Sequence, residues 1–365
     1  MERLDTINIG EILKNSRENL SMTQEEVSKK LNIGRDAVMR IERGTRKITL
    51  DEIRDFIRLY NLNIEDLLFT PKEDVNMKGI ILAGGSGTRL YPITGGASKQ
   101  LLQVYDKPMI YYPLSVLIQA KIKDILIITT KEYNELFKNL LGDGKRFGVN
   151  ISYVIQEKPN GLAEAFILGE EFIGDSPCAM VLGDNIFYGS GIRKELTMAK
   201  ENAVNGYSTI FGYEVKDPKR FGIMELDKNN NVISIEEKPE KPKSDYAITG
   251  LYFFPNDVVK KAKKVKPSIR GELEITSLND MYLKEKRLKA RLLDEGYSWF
   301  DTGTFDSLLD ASNMVRTIEN NRDALICSPE VCALQSNFIT KKDISKSLEG
   351  LKDNNYTSHL RKIVK

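Results

Sequence analysis

One histidine and three cysteines are all that this 365-residue chain holds of the residue types most used for nucleophilic and metal chemistry. His359 lies six residues from the C-terminus, in a segment that reads as a surface tail. That scarcity argues against a Ser-His-Asp triad, a Cys-His pair or a multi-histidine metal site. Any chemistry must then rest on carboxylates, Lys, Arg, backbone N–H groups and a hard cation. Cys178, Cys327 and Cys332 give no paired framework, and the Cys327 to Cys332 spacing matches no zinc knuckle, so they read as buried free thiols. No apolar run approaches the ~20 residues needed to cross a bilayer, and the polar start Met1-Glu2-Arg3-Leu4-Asp5 lacks a signal core. A cytoplasmic protein is expected. A net charge of +2 is too small for broad nucleic-acid affinity, so local patches must be judged separately.

What is present fits two folded units, since the length exceeds the roughly 100 to 200 residues of one domain. A hydrophobic share of 41% supplies real cores, and a charged share of 29% is ordinary. Residues 1–69 read as short helices. Thr23-Gln24-Glu25-Glu26 is a capping box, Asn32-Ile33-Gly34 a tight turn, and 35–43 a second helix ending at Gly44. Amphipathic segments follow at 50–60 and 64–68, with Ile53, Ile57 and Leu59 placed to cover a small core. The polar, proline-containing stretch 70–76 is the expected linker. From Met77 the pattern changes to apolar runs at 79–83, 124–129, 151–155 and 178–182, separated by helical stretches at 109–120, 133–141 and 162–172. Near-uniformly apolar strands alternating with helices indicate an α/β doubly wound, mainly parallel sheet covered on both faces. Later strands at 209–215, 232–236 and 246–254 and a helix at 305–319 are expected to extend the sheet and build the acceptor side of one site.

The loop Leu82-Ala83-Gly84-Gly85-Ser86-Gly87-Thr88-Arg89-Leu90-Tyr91-Pro92 follows the first strand. Gly84, Gly85 and Gly87 let bare N–H groups approach phosphate oxygens, and Arg89 adds a forked cation. It lacks the Gly-Lys-Ser/Thr ending of a Walker loop, and Leu90 occupies the place of a dinucleotide fingerprint's third glycine. Three glycines alone are equally consistent with a plain strand-to-helix turn. Ser98-Lys99-Gln100 adds a second cation at the sheet edge where ligands of open α/β sheets bind. Asp184 ends the strand 178–182, while Glu237-Lys238-Pro239 and Trp299-Phe300-Asp301-Thr302-Gly303 bring another cation and a second carboxylate.

Taken in order, these motifs resemble the sugar-1-phosphate nucleotidyltransferase family, specifically its short bacterial glucose-1-phosphate thymidylyltransferase branch. Further support comes from Tyr105-Asp106-Lys107-Pro108-Met109, Asp184-Asn185-Ile186-Phe187-Tyr188-Gly189 and Gly271-Glu272-Leu273-Glu274-Ile275-Thr276. The likeness runs from Met77 to the C-terminus, about four-fifths of the chain. It implies that Asp184 and Asp301 hold Mg²⁺, that Arg89 and Lys99 bind the triphosphate of dTTP, and that Lys238 binds the phosphate of glucose 1-phosphate. Gln156 and Gly161 match pyrimidine-reading positions, and Gly222, Glu237 and Ile248 match sugar-holding ones. Thr88, Gln100, Asn185 and Trp299 complete the implied substrate set. It also implies a homotetramer with feedback by a downstream dTDP-sugar. A phosphate monoester is already a competent nucleophile at neutral pH, which suits a chain without a histidine base. Two features depart from the family pattern: Gln103 replaces a usual proline, and Gly95-Gly96 makes the approach to Lys99 glycine-rich. Extra glycine raises the entropy lost on ordering, so weaker triphosphate affinity is expected.

Residues 9–68 resemble the phage-repressor helix-turn-helix module, through Thr23-Gln24-Glu25-Glu26-Val27 and Ile41-Glu42-Arg43-Gly44. The resemblance places Gln24, Arg35, Asp36 and Arg40 at a DNA major groove. Seven Lys or Arg face two acids between Lys29 and Lys47. Gly34 stands where such modules open the recognition helix with Ser or Thr, a small loss in capping. A solvated basic face serving docking or oligomerisation remains open beside DNA binding. Two accounts of the whole chain follow: an active thymidylyltransferase with a DNA-binding head, or a transcription regulator that uses the nucleotidyltransferase domain as a nucleotide-sugar sensor.

Overall fold

The computed structural model describes residues 6–20, 22–60, 62, 76–85 and 87–365. The expected segment 64–68, Ser86 and most of the linker 70–76 lie outside the described residues. The chain forms two compact units, one of Met1–Glu73 with Ala333–Lys365 and one of Asp74–Cys332. Residues Ala333–Lys365 thus group with the head, whereas the sequence reading attached them to the second domain.

The head contains α1 (Thr6–Asn19), α2 (Gln24–Leu31), α3 (Arg35–Glu42) and α4 (Leu50–Tyr60). Leu13, Val27, Val38 and Phe56 are fully buried, and Ile53, Ile57 and Leu59 pack against them, as their spacing on an amphipathic helix requires. Helices α1 and α3 approach closely because residue 10 is glycine: a Cβ there would stand 2.3 Å from the Ile41 carbonyl oxygen. The capping box forms as expected, with the Glu26 N–H donating to Thr23 Oγ1 at 3.2 Å and the Thr23 N–H donating to Glu26 Oε2 at 2.7 Å. Helix α3 starts at Gly34 without a side-chain cap. It unwinds at Gly44, whose φ of 68° is the left-handed conformation that favours glycine. In the C-terminal part of this unit, helices Lys341–Ser347 and Asn355–Val364 open on capping boxes at Thr340 and Asn354. His359 sits in the second of these, half-buried, and not in a loose surface tail.

The strands of the second unit are β1 (Lys78–Ala83), β2 (Gln103–Val104), β3 (Lys107–Pro108), β4 (Asp124–Thr129), β5 (Asn150–Ile155), β6 (Cys178–Leu182) and β7 (Asn185–Gly189). Then come β8 (Ser208–Glu214), β9 (Gly222–Leu226), β10 (Val232–Glu237), β11 (Tyr246–Phe254), β12 (Leu288–Leu293) and β13 (Tyr297–Asp301). Strands β6, β1, β4 and β5 form a parallel block in that order. Strand β11 runs antiparallel to β6 and carries β9, β10 and β8 onward, with β12 parallel to β8. The doubly wound parallel block is as expected, and the later strands extend it antiparallel.

Ile80, Ile81, Ile125, Ile127 and Val181 are fully buried, the consequence of a sheet covered on both faces. The stretch expected as one helix over 162–172 divides at Gly169 into Glu164–Leu168 and Glu170–Ile173. A Cβ at Gly169 would press on Leu126 and Ile80 at 3.2 and 3.3 Å, so glycine lets this turn settle onto the sheet. All three cysteines are buried and free, as expected. Among the described residues, no helix is long and apolar enough to cross a membrane.

Candidate active site

The C-terminal ends of β1 and β6 are adjacent and parallel, so the loop after β1 and the residue after β6 open into one crevice, the usual ligand position in such sheets. A cavity of about 220 Å³ lies there. Its wall is the glycine loop, through Gly84, Gly85, Gly87, Thr88 and Arg89, together with Lys99, Gln100, Asp184 and Gly303. Gly85 (φ 106°) and Gly87 (φ 56°) adopt left-handed backbone, and a Cβ on Gly87 would stand 2.9 Å from the Thr94 side chain. Arg89 follows in a single 3-10 turn, solvent-exposed, its guanidinium 3.0 Å from where a Gly303 Cβ would be. Gly303 thus leaves room for the Arg89 fork beside Asp301.

Lys99 is 6% exposed, and its Nζ donates to Asp184 Oδ2 at 2.5 Å. Asp184 also accepts from Asn185 Nδ2 at 3.0 Å. Burial pushes the Asp184 carboxyl up, but the Lys99 charge and these bonds outweigh it and hold the group below its ordinary value. Antiparallel pairing of β13 with β7 places Asp301 opposite Asn185, next to Asp184. Burial and the Asp184 charge push Asp301 up, against the pull of Lys99, Arg89 and Arg220. Thr302 locks the two segments together, its N–H and hydroxyl donating to the Asp184 carbonyl at 3.2 and 2.8 Å.

Two crowded carboxylates, the charge of one raising the proton affinity of the other, are a natural seat for a divalent cation. The donor set fits Mg²⁺, which takes one or two carboxylates and fills its octahedron with water and substrate phosphate oxygens. Among the described residues no three His, Cys, Asp or Glu side chains form a closed cage.

Two groups of expected residues lie to either side. At one, Gly222 on β9 stands opposite Glu237 on β10. A Cβ there would meet Glu237 Oε2 and Thr276 Oγ1 at 3.3 Å each and Ile248 at 3.8 Å, so these four groups converge. Thr276 donates to Glu237 at 2.6 Å, and Arg270 bonds Glu274 at 2.8 Å beside it. Lys238 is exposed and held in left-handed backbone (φ 44°), its Nζ 3.8 Å from Glu237. At the other, Gln156 follows β5 and Gly161 (φ 106°) packs its Cα face onto the Leu273 backbone, 2.5 Å from any added Cβ.

Asn185 and Trp299 stand apart from the other expected ligand contacts. Asn185 is 2% exposed, and its oxygen accepts from the Gly250 N–H at 3.0 Å and from Trp299 Nε1 at 2.7 Å. Trp299 then packs edge-on against Phe221 and Tyr213. Both side chains are engaged in holding β7, β11 and β13 in place behind Asp184. Gln103 is exposed and pairs with Pro108 across β2 and β3, outside the cavity wall. Neither Gly95 nor Gly96 has positive φ. Sequence reasoning passed over Arg220, whose charge reaches Asp301, along with Thr276, Thr302 and Glu164. Thr276 and Thr302 stood inside quoted motifs without a role of their own, and Arg220 carried a signal in standing two residues before Gly222 in Asp217-Pro218-Lys219-Arg220-Phe221-Gly222.

In the head, Gln24 Nε2 donates to Glu42 Oε2 at 2.8 Å, and Glu42 also accepts from Arg17 at 2.6 and 3.0 Å. Arg40 pairs with Asp36 at 3.1 Å one turn away on the exposed face of α3, where Arg35 is exposed too.

A model of the nucleotidyl transferase family matches residues 78–318, most of the chain and all of the cavity described above. The chain belongs to that family. This nucleotidyltransferase is 54% identical over 288 residues to a glucose-1-phosphate thymidylyltransferase of Neisseria gonorrhoeae, covering 79% of this chain and 99% of the relative. A thymidylyltransferase of Mycolicibacterium smegmatis is 49% identical over the same coverage. A crystal structure from Bacillus anthracis, assigned as a glucose-1-phosphate thymidylyltransferase, superposes with a TM-score of 0.61 at 43% identity, covering 66% of this chain and 95% of that one. A UDP-glucose pyrophosphorylase bound to UDP-glucose shares the fold at 24% identity and a TM-score of 0.58. A helix-turn-helix model matches residues 13–67 of the nucleotidyltransferase.

Proposed function

We propose that the enzyme is a glucose-1-phosphate thymidylyltransferase, converting dTTP and α-D-glucose 1-phosphate to dTDP-glucose and diphosphate. The observation that carries the reading is the largely buried Lys99–Asp184 pair, set beside Asp301 and facing the glycine loop in one cavity. Kinship at 54% identity with an enzyme of that name supports the choice of substrates.

The loop N–H groups at Gly84, Gly85 and Gly87 receive phosphate oxygens of the triphosphate, and Arg89 forks onto the same group. Lys99 holds Asp184 in place and adds positive charge where the departing diphosphate gathers negative charge. Lys238 takes the phosphate of glucose 1-phosphate, while Glu237, Gly222 and Ile248 hold the sugar ring. Asp184 and Asp301 would hold Mg²⁺, which neutralises charge on the reacting phosphates when bound. Positioned in line, a phosphate oxygen of glucose 1-phosphate forms a bond to the α-phosphorus. The bond from that phosphorus to the α,β-bridging oxygen breaks, and its electron pair leaves with diphosphate. No side chain need remove a proton. The single displacement predicts inversion at the α-phosphorus, and retention measured with a chiral thiophosphate would defeat it.

The head binds DNA on the same proposal, with Arg35 and Arg40 of α3 at the groove and Gln24 and Asp36 beside them. A location in the cytoplasm and a homotetrameric assembly complete the reading. Diphosphate release from glucose 1-phosphate with dTTP, UTP and CTP tests it. Turnover fastest with dTTP is the expected outcome; tight nucleotide binding with no turnover would favour the nucleotide-sugar sensor instead.

A further inference from the structure

Two polar clusters flank the glycine loop, and their chemistry differs. On the β9–β11 side, Glu237 and Thr276 present a carboxylate and a hydroxyl, the groups that sugar hydroxyls pair with. On the β4–β5 side there is a buried amide. Gln156 follows β5, its N–H donates to the Thr129 carbonyl at the end of β4 at 2.8 Å, and it is 6% exposed. Its Oε1 lies 2.7 Å from the position a Gly84 Cβ would take, at the edge of the phosphate cavity.

The orientation of that amide is imposed from behind. Gln156 Nε2 donates to Glu164 Oε2 at 2.7 Å, and the other Glu164 oxygen accepts from Asn160 Nδ2 at 2.7 Å. The Asn160 backbone is pinned in turn, its carbonyl accepting from the Leu273 N–H at 2.6 Å. An ionised carboxylate only accepts hydrogen bonds. Gln156 must therefore turn its NH₂ toward Glu164 and present a bare oxygen above Gly84.

Resting on the thymidylyl-transfer reading above, we infer that Glu164 is a positioning residue for base selection: it fixes Gln156 as an acceptor and so selects pyrimidines with a protonated N3. Thymine and uracil carry N3–H and pair with Gln156 Oε1. Cytosine carries a lone pair at N3, and the two acceptors would face each other in a buried site, leaving both without a hydrogen bond. A glutamine at 164 removes the constraint, because its own oxygen and NH₂ can meet Gln156 in either orientation. Gln156 is then free to turn its NH₂ toward cytosine N3.

The test is the ratio of kcat/KM for dTTP over dCTP, with glucose 1-phosphate, in the wild-type enzyme, Glu164→Gln and Asn160→Ala. A wild type that prefers dTTP, a Glu164→Gln ratio lowered about tenfold or more with kcat for dTTP largely kept, and a smaller drop for Asn160→Ala are expected. Thermal melting of each variant establishes that it is folded, and the Asn160→Ala ratio stands as the readout where Glu164→Gln does not fold. Uniform loss of kcat/KM for both nucleotides with the ratio unchanged would overturn the inference and leave the enzymatic reading intact. So would a wild type that accepts dCTP as well as dTTP. Absence of dTTP turnover in the wild type would instead overturn the enzymatic reading itself.

Discussion

In the α/β unit Arg89, Lys99 and Asp184 converge on one cavity, whereas in the head Arg40 and Asp36 pair along an exposed helix face. Lys99 and Asp184 have 7% and 23% of their side-chain surface exposed; Arg40 and Asp36 have 61% and 65%. An exposed pair one helical turn apart contributes only ~0.3–0.5 kcal/mol and is readily exchanged for a phosphate. A buried pair is retained only where its geometry is held from several sides. Asn185, Thr302 and Trp299 provide that support in the α/β unit. The head's buried charge, Arg17 with Glu42, instead fastens the head's own helices and draws Gln24 inward.

The largest expected effect falls on the converging side. Asp184→Asn should lower kcat by about 10³-fold or more while far-UV dichroism and melting stay close to wild type. Lys99→Met, which empties the cation position beside the departing diphosphate, should lower kcat/KM for dTTP by about 10²-fold. Equal activity in either variant would dissolve the contrast between the two regions. In the head, Glu42→Ala should destabilise that unit by about 3 kcal/mol, read as an earlier denaturant transition, because it strands Arg17 among buried groups. The smallest effect belongs to Arg40→Ala. It should leave nucleotidyl transfer unchanged, weaken DNA binding across sequences and reduce the salt dependence by about one phosphate contact. No binding of DNA by the wild type at low salt would assign the basic face to docking.

Legibility followed the same division. Strands β1, β4 and β6 could be read from sequence because continuous apolar runs are required of a sheet buried on both faces. Asp184 could be found because it follows an apolar strand, and Asp301 through the resemblance that its motif carries, yet their adjacency depends on β7 pairing with β13 across more than a hundred residues. Those two strands were not foreseen, being short and only half apolar. Glu164 was missed for a related reason: it reads as an ordinary surface residue of a helix until Gln156 folds against it, while Thr276 stood in a quoted motif with no role until Glu237 met it. Gln24, placed at the groove by resemblance, also bonds inward to Glu42, a contact that its place in the sequence does not announce.

The most direct test of the account follows diphosphate release from dTTP and glucose 1-phosphate, with Mg²⁺ and with the metal chelated, for wild type and Asp184→Asn in parallel. The account predicts release only from wild type with Mg²⁺ and both substrates present. Undiminished release by Asp184→Asn, or release that ignores the metal, would contradict it.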